Sequence, residues 1–187
     1  MKKVICLYGP AAAGKTTQAE LLTKKYGLFS FGMGDHLRAE INSHSELGKE
    51  IAETVAQGLL IPDHLMDQVL ESIKEPARTT GIVLDGFPRV LSQAKSLAKV
   101  LQTVNLEVEL FVLLDINEDE ILNRIAARAK LTGRHDDLDA QAISNRLAVY
   151  NKESLALIDH YHSLGKLVKI DGSLPREDVF KEIEKHL

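Results

Sequence analysis

Val4-Ile5-Cys6-Leu7-Tyr8-Gly9-Pro10-Ala11-Ala12-Ala13-Gly14-Lys15-Thr16-Thr17 joins a short apolar run to the start of a helical pattern. A brief, wholly apolar run of this kind suits a strand buried on both faces. Gly9 to Thr16 match G-x-x-x-x-G-K-[ST], a loop that cradles phosphate between a strand and a helix. The chemistry needs those residue types. Glycines and alanines leave room for backbone N–H groups to converge on phosphate oxygens, and the helix N-terminus adds partial positive charge. Lys15 supplies a cation for the outer phosphates, and the hydroxyl of Thr16 or Thr17 can reach Mg²⁺. An ordinary glycine-containing turn is the alternative, and the Lys-Thr pair at a strand-to-helix junction weighs against it.

Outward from this loop, strand and helix patterns alternate. Helical stretches are expected over residues 15–25, 34–42, 47–56, 63–73, about 90–101, 118–129, 139–164 and from about 175, and strands over 28–31, 81–84, 110–114 and 167–170. Short apolar strands separated by helices predict an α/β three-layer sandwich of the P-loop NTPase type. Its five-stranded parallel sheet carries helices on both faces and binds ligands at the carboxyl ends of the strands. Two segments interrupt the alternation: a helical insert at 32–63 and a polar stretch at 129–139. The rest (1–31, 64–128 and 140–187) reads as one core, so the whole of 1–187 is expected to be a single domain.

Composition is ordinary for a globular enzyme, at 44% hydrophobic and 27% charged residues. The net charge of −4 argues against a general nucleic-acid binder, because duplex affinity rests on clustered cations. No apolar stretch approaches a membrane span, and the run after Met-Lys-Lys is too short for a signal peptide. The expected setting is the cytoplasm, with no nucleic-acid or membrane partner and a monomeric state. Cys6, the single cysteine, permits no intrachain disulfide and reads as a core residue. His160 and His162 stand two apart in a helical stretch, on different faces, and suggest no metal site.

A P-loop alone does not identify a reaction. Further residues narrow it. Asp85-Gly86-Phe87-Pro88-Arg89 follows the strand 81–84, so Asp85 lies at a strand's carboxyl end, where it can orient Mg²⁺ or its waters, and Arg89 emerges beside it. Gln93 lies one helical turn past Arg89, and a carboxamide can pair with a purine edge. Arg38 and the run Gly58-Leu59-Leu60-Ile61-Pro62-Asp63 flank the insert. Arg124 and Arg128 share one helix face; Arg134 and Arg146 follow. Four arginines returning to one region suit a polyanion, against the alternative of scattered surface charges.

In order and spacing, these motifs resemble the adenylate kinase family across nearly the whole chain. They are the P-loop through Leu22, Gly34–Arg38, Gly58–Asp63, Leu84–Arg89 with Gln93, Asn123–Arg128, Thr132–Asp137 and Asn145–Tyr150. The resemblance implies ATP:AMP phosphotransfer giving two ADP, with ATP and Mg²⁺ at the site. It makes 32–63 an NMP-binding insert and 129–139 a short lid, which a single cysteine cannot turn into a zinc lid. On this resemblance Gly9, Ala11, Ala12, Ala13, Gly14, Lys15, Thr16, Thr17, Arg124 and Arg134 hold ATP. Met33, Arg38, Leu59, Leu60, Ile61, Gly86, Arg89, Gln93 and Arg146 hold the acceptor. Lys15, Arg89, Arg128, Arg134 and Arg146 carry catalysis, and Thr16 and Asp85 approach Mg²⁺ through water. Asp136 and Asp137 help close the lid.

Three departures bear on this reading. Thr16 stands where the family has the second glycine of Gly-Lys-Gly-Thr, and Ala12 also replaces a glycine. Gly32-Met33-Gly34 replaces Ser-Thr-Gly, so a residue beside the acceptor base loses its hydroxyl. Gln93 favours AMP, whereas related UMP/CMP kinases carry asparagine. A kinase for UMP, CMP or another small acceptor is the second reading. An adenylate-binding sensor or assembly factor with weak turnover is the third.

Overall fold

The computed structural model describes residues 3–132 and 135–187. Five parallel strands, β1 (Val4–Tyr8), β2 (Phe29–Gly32), β3 (Ile82–Asp85), β4 (Leu110–Asp115) and β5 (Leu167–Asp171), form one sheet in the order β2-β3-β1-β4-β5. This is the expected P-loop sandwich. β1 is central, pairing Leu7 with Asp85 on one side and with Val112 on the other. Successive residues of β1 serve opposite faces. Val4, Cys6 and Tyr8 enter one core cluster, while Ile5 and Leu7 enter the other. Both faces are therefore covered, which is why the strand is apolar without alternation.

The helices are α1 (Lys15–Tyr26), α2 (Met33–Asn42), α3 (Glu46–Ala56), α4 (Asp63–Glu71), α5 (Lys74–Thr80), α6 (Leu91–Gln102), α7 (Glu118–Thr132), α8 (His135–Leu138), α9 (Ala140–Ser163) and α10 (Arg176–Glu184). Their ends follow from local chemistry. Ser45 caps α3 by accepting from Gly48 N at 2.9 Å, and Asp139 caps α9 by accepting from Gln141 N at 2.8 Å. Asn117 accepts from Glu120 N at 2.9 Å, and Glu118, Asp119 and Glu120 place negative charge at the positive end of α7.

Two expectations need correction. The helix expected to run to residue 73 ends at Glu71, and a separate helix, α5, follows at Lys74–Thr80. Pro76 falls in its first turn, where the missing N–H has no intrahelical partner to lose. The helix expected to stop at 129 continues to Thr132, and α8 lies within the polar stretch 129–139, to which no helix was assigned.

Candidate active site

In the order β2-β3-β1-β4-β5 the chain leaves β1 toward the β2 edge and leaves β3 toward the β4 edge, so the winding reverses between β1 and β3. The crevice beyond their carboxyl ends is where this class of sheet takes ligands. The loop Gly9–Gly14 occupies that point. Gly9 has φ +145°, and a Cβ there would lie 2.7 Å from Leu114 O, so only glycine lets β1 turn away this close to β4. Ala12 is also left-handed, at φ 61°. The alanine noted above as replacing a glycine thus holds a conformation that costs an L-residue about 1–2 kcal/mol.

Two cavities meet at this loop. The first, about 270 Å³, is lined by Tyr8, Lys15, Arg38, Arg89, Arg128 and Arg146, together with loop and insert backbone. The second, about 290 Å³, is lined by Ala12, Ala13, Gly14, Lys15, Thr16, Thr17, Arg124 and Arg128. Ala12, Lys15, Thr16 and Arg128 border both.

Lys15 Nζ donates to Pro10 O at 2.6 Å and to Gly9 O at 3.0 Å. Its pKa is pushed down to about 8, chiefly by removal from water. Asp85 opposes the shift, while Arg89, Arg128 and Arg146 add to it. Thr16 Oγ1 donates to Asp85 Oδ2 at 2.5 Å, joining the loop to the end of β3. Arg89 Nε donates to Gly86 O at 3.0 Å, and Arg38 pairs with Asp35 at 2.5 Å. On the other side, Arg124 donates to Glu120 at 2.7 Å and to Gly172 O at 3.0 Å.

Arg128 and Arg146 come together on Asp137. Arg128 donates from Nε at 2.6 Å and from Nη2 at 2.8 Å, and Arg146 from Nη2 at 3.1 Å. The Asp137 side chain is wholly buried. Burial pushes its pKa up, but the bonds and charge of Arg128, with those of Arg146, outweigh that and hold it below the usual carboxylate range.

The insert reaches the same helix. Asn145 on α9 donates to Gln57 O at 2.9 Å. At Gly58 (φ +71°) a Cβ would meet Ala142 O at 2.7 Å and Arg146 Cγ at 2.9 Å. Glycine at this position is what allows the insert to approach α9.

Leu59, Leu60 and Gly86 line the first cavity, beside Gly9 and Ala11. Three candidates for the acceptor side do not. Met33 and Ile61 are buried in the hydrophobic core, and Gln93 is 3% exposed with Oε1 accepting from Arg89 N at 2.8 Å. Each is a buried member of its helix or loop, so its side chain packs inward. Arg134 and the side chain of Asp136 lie outside the described residues. The sequence reading omitted Tyr8, Asp35, Val149 and Tyr150, which line the first cavity. Tyr8 could have been found as the last strand residue before the loop, and Tyr150 as one turn beyond Arg146.

A family model described as adenylate kinase matches residues 7–166. The chain belongs to the adenylate kinase family. The adenylate kinase of Prochlorococcus marinus strain NATL2A is 40% identical over 187 residues, covering 100% of both chains. That of Parabacteroides distasonis is 37% identical over 184 residues, covering 97% of this chain and 95% of its own. The adenylate kinase of Bacteroides fragilis strain ATCC 25285 is 37% identical over 182 residues, covering 97% and 96%. Among the described residues of this family member, no helix is long and apolar enough to cross a membrane. Nor does any group of three or more His, Cys, Asp and Glu among them gather as a metal site.

The lysine shift carries a prediction. If Lys15 meets the phosphates of ATP, as the sequence reading expects, raising the pH through about 8 removes the charge they meet. ATP affinity is expected to fall by about tenfold per pH unit above that point, as one-proton linkage requires. Folding responds in the opposite sense. The stabilisation from a neutral Lys15 is complete above its ordinary value of 10.5 and is lost as pH falls through about 8. A titration of ATP binding between pH 7 and 9.5, alongside thermal melts, checks both signs. A flat affinity profile would refute the assignment of Lys15 as the titrating group.

Proposed function

We propose that the chain transfers the γ-phosphoryl group of ATP to AMP, reversibly, giving two ADP. The observation that carries this reading is the pair of cavities sharing Ala12, Lys15, Thr16 and Arg128. Two ligands placed in them meet at one lysine and one arginine. ATP lies in the second cavity, along Gly14–Thr17 and Arg124, and AMP in the first, its phosphate between Arg38 and Arg89. Residues 32–63 form the NMP-binding insert and 129–139 the lid, closing over the substrates to exclude water as a competing acceptor.

Catalysis is positioning and charge stabilisation, with no covalent intermediate on the protein. Lys15, Arg128 and Arg146 face the migrating phosphoryl group, and guanidinium suits it because it stays charged and binds oxygens in pairs. Thr16 Oγ1 and Asp85, already in contact, present the hard oxygens that Mg²⁺ prefers, with the remaining ligands coming from water and phosphate. Mg²⁺ when bound neutralises phosphate charge and fixes its orientation. The enzyme acts as a cytoplasmic monomer on small-molecule substrates, and the net charge of −4 supports the absence of a nucleic-acid partner.

Acceptor choice is the finer question. Gln93 lies outside the first cavity with its oxygen accepting from Arg89 N–H, so only its amide N–H is left for a base, and the side chain must turn toward the cavity to offer it. One remaining hydrogen bond, worth about 1–1.5 kcal/mol, supports roughly a tenfold preference for AMP. A coupled assay comparing kcat/KM for AMP, CMP, UMP and GMP tests this, with Gln93→Ala expected to remove most of the preference. Higher kcat/KM with CMP or UMP would move the enzyme to the related pyrimidine-nucleotide kinases. Nucleotide binding without phosphoryl transfer would make it a sensor.

A further inference from the structure

Tyr8 is a polar residue where the core meets the acceptor cavity. It is 3% exposed, lines the first cavity, and its ring lies 5.3 Å from that of Phe111 and 5.6 Å from that of Tyr150. The column continues to Tyr161, stacked on Phe111 at 4.0 Å. Among the described residues its hydroxyl makes no hydrogen bond to the protein. It is also absent from the fully enclosed polar atoms that go unsatisfied. The hydroxyl therefore opens into the cavity. A hydroxyl that opens into the cavity is free to donate to whatever occupies it, whereas phenylalanine would pack as well and offer no donor. The charge of Arg89 reaches this phenol, and Gly9 follows directly in the chain.

We propose that Tyr8 is a further acceptor-binding residue, its hydroxyl donating to the acceptor's phosphate beside Arg89. This rests on the placement of AMP in the first cavity. The phosphate is the favoured target because the ring projects from the strand end that carries the phosphate loop, and because a phenol donating to an anion held by arginine makes a charge-assisted bond. A contact with phosphate is blind to the base and to the ribose 2′-hydroxyl, which gives the proposal its signature.

The test is Tyr8→Phe, which removes one oxygen and keeps the ring. KM for AMP is expected to rise by about tenfold or more, with KM for ATP nearly unchanged and the melting temperature unchanged or slightly higher. The same fold-change is expected for CMP, UMP, GMP and dAMP. Tyr161→Phe, which removes a hydroxyl at the far end of the column, should leave every KM in place. A Tyr8→Phe enzyme with wild-type KM for AMP would overturn the proposal, and so would a rise confined to one base or lost with dAMP. Failure of the wild-type enzyme to phosphorylate any nucleoside monophosphate would instead overturn the reading on which it rests.

Discussion

Lys15→Met is expected to lower kcat by at least about a thousandfold while leaving the chain folded. Removing one preorganised donor from a site that stabilises developing charge costs about a hundredfold to a thousandfold. Lys15 belongs at the upper end, because it borders both cavities and bonds the loop backbone directly. Its depressed pKa makes the stability part of the prediction a strong one. A buried ammonium is a burden on the folded state, so a neutral methionine of similar length should raise the melting temperature or leave it alone. Steady-state kinetics with ATP and AMP, and a thermal melt of each protein, separate the two effects. Near-wild-type turnover would remove Lys15 from the mechanism. Collapse of the fold would show that its bonds to Gly9 O and Pro10 O hold the loop together.

Arg128→Ala and Arg146→Ala are each expected to lower kcat by about a hundredfold or more and to change KM for either substrate by much less. The charge they meet develops during transfer and is weaker in the ground state. Their structural costs differ. Arg128 makes two bonds to Asp137, at 2.6 and 2.8 Å, and Arg146 one, at 3.1 Å. Breaking a buried ion pair by deleting one partner costs about 3–5 kcal/mol when the other is left alone, and less here because a second arginine remains. Arg128→Ala should therefore lower the melting temperature more than Arg146→Ala, although both lose turnover. Arg128→Lys separates the roles, since it keeps a charge for Asp137 but loses the planar fork that fits phosphate. If the alanine variants raised only KM for ATP, both residues would be ground-state ligands.

Much of this was legible in the sequence, for identifiable reasons. The strand, loop and helix at Val4–Tyr26 announce themselves because phosphate binding restricts the residue types so tightly. The parallel sheet follows from apolar strands that do not alternate. α5 was missed because Pro76 reads as a breaker unless its place in the first turn is known. The arginines could be grouped by helical spacing, but spacing cannot show that Asp137 on α8 would join one of them on α7 to another on α9. Met33, Ile61 and Gln93 mark the opposite difficulty. Position in a motif says which loop or helix carries a residue, while burial decides which way its side chain turns. Tyr8 was read only as a strand residue, because alternation places its ring in the core and says nothing of its hydroxyl.

Asp137 has a consequence for what a binding constant would mean. The guanidinium groups of Arg128 and Arg146 share an anion of the protein's own. Under the proposed reaction, a phosphoryl group arriving between them takes part in an exchange of anions, and its net gain is the difference between phosphate and carboxylate as guests. Much of the cost of gathering two like charges is thereby met once, when the chain folds, and need not be met again at each turnover. The product can leave for the same reason, since a resident carboxylate stands ready to take its place.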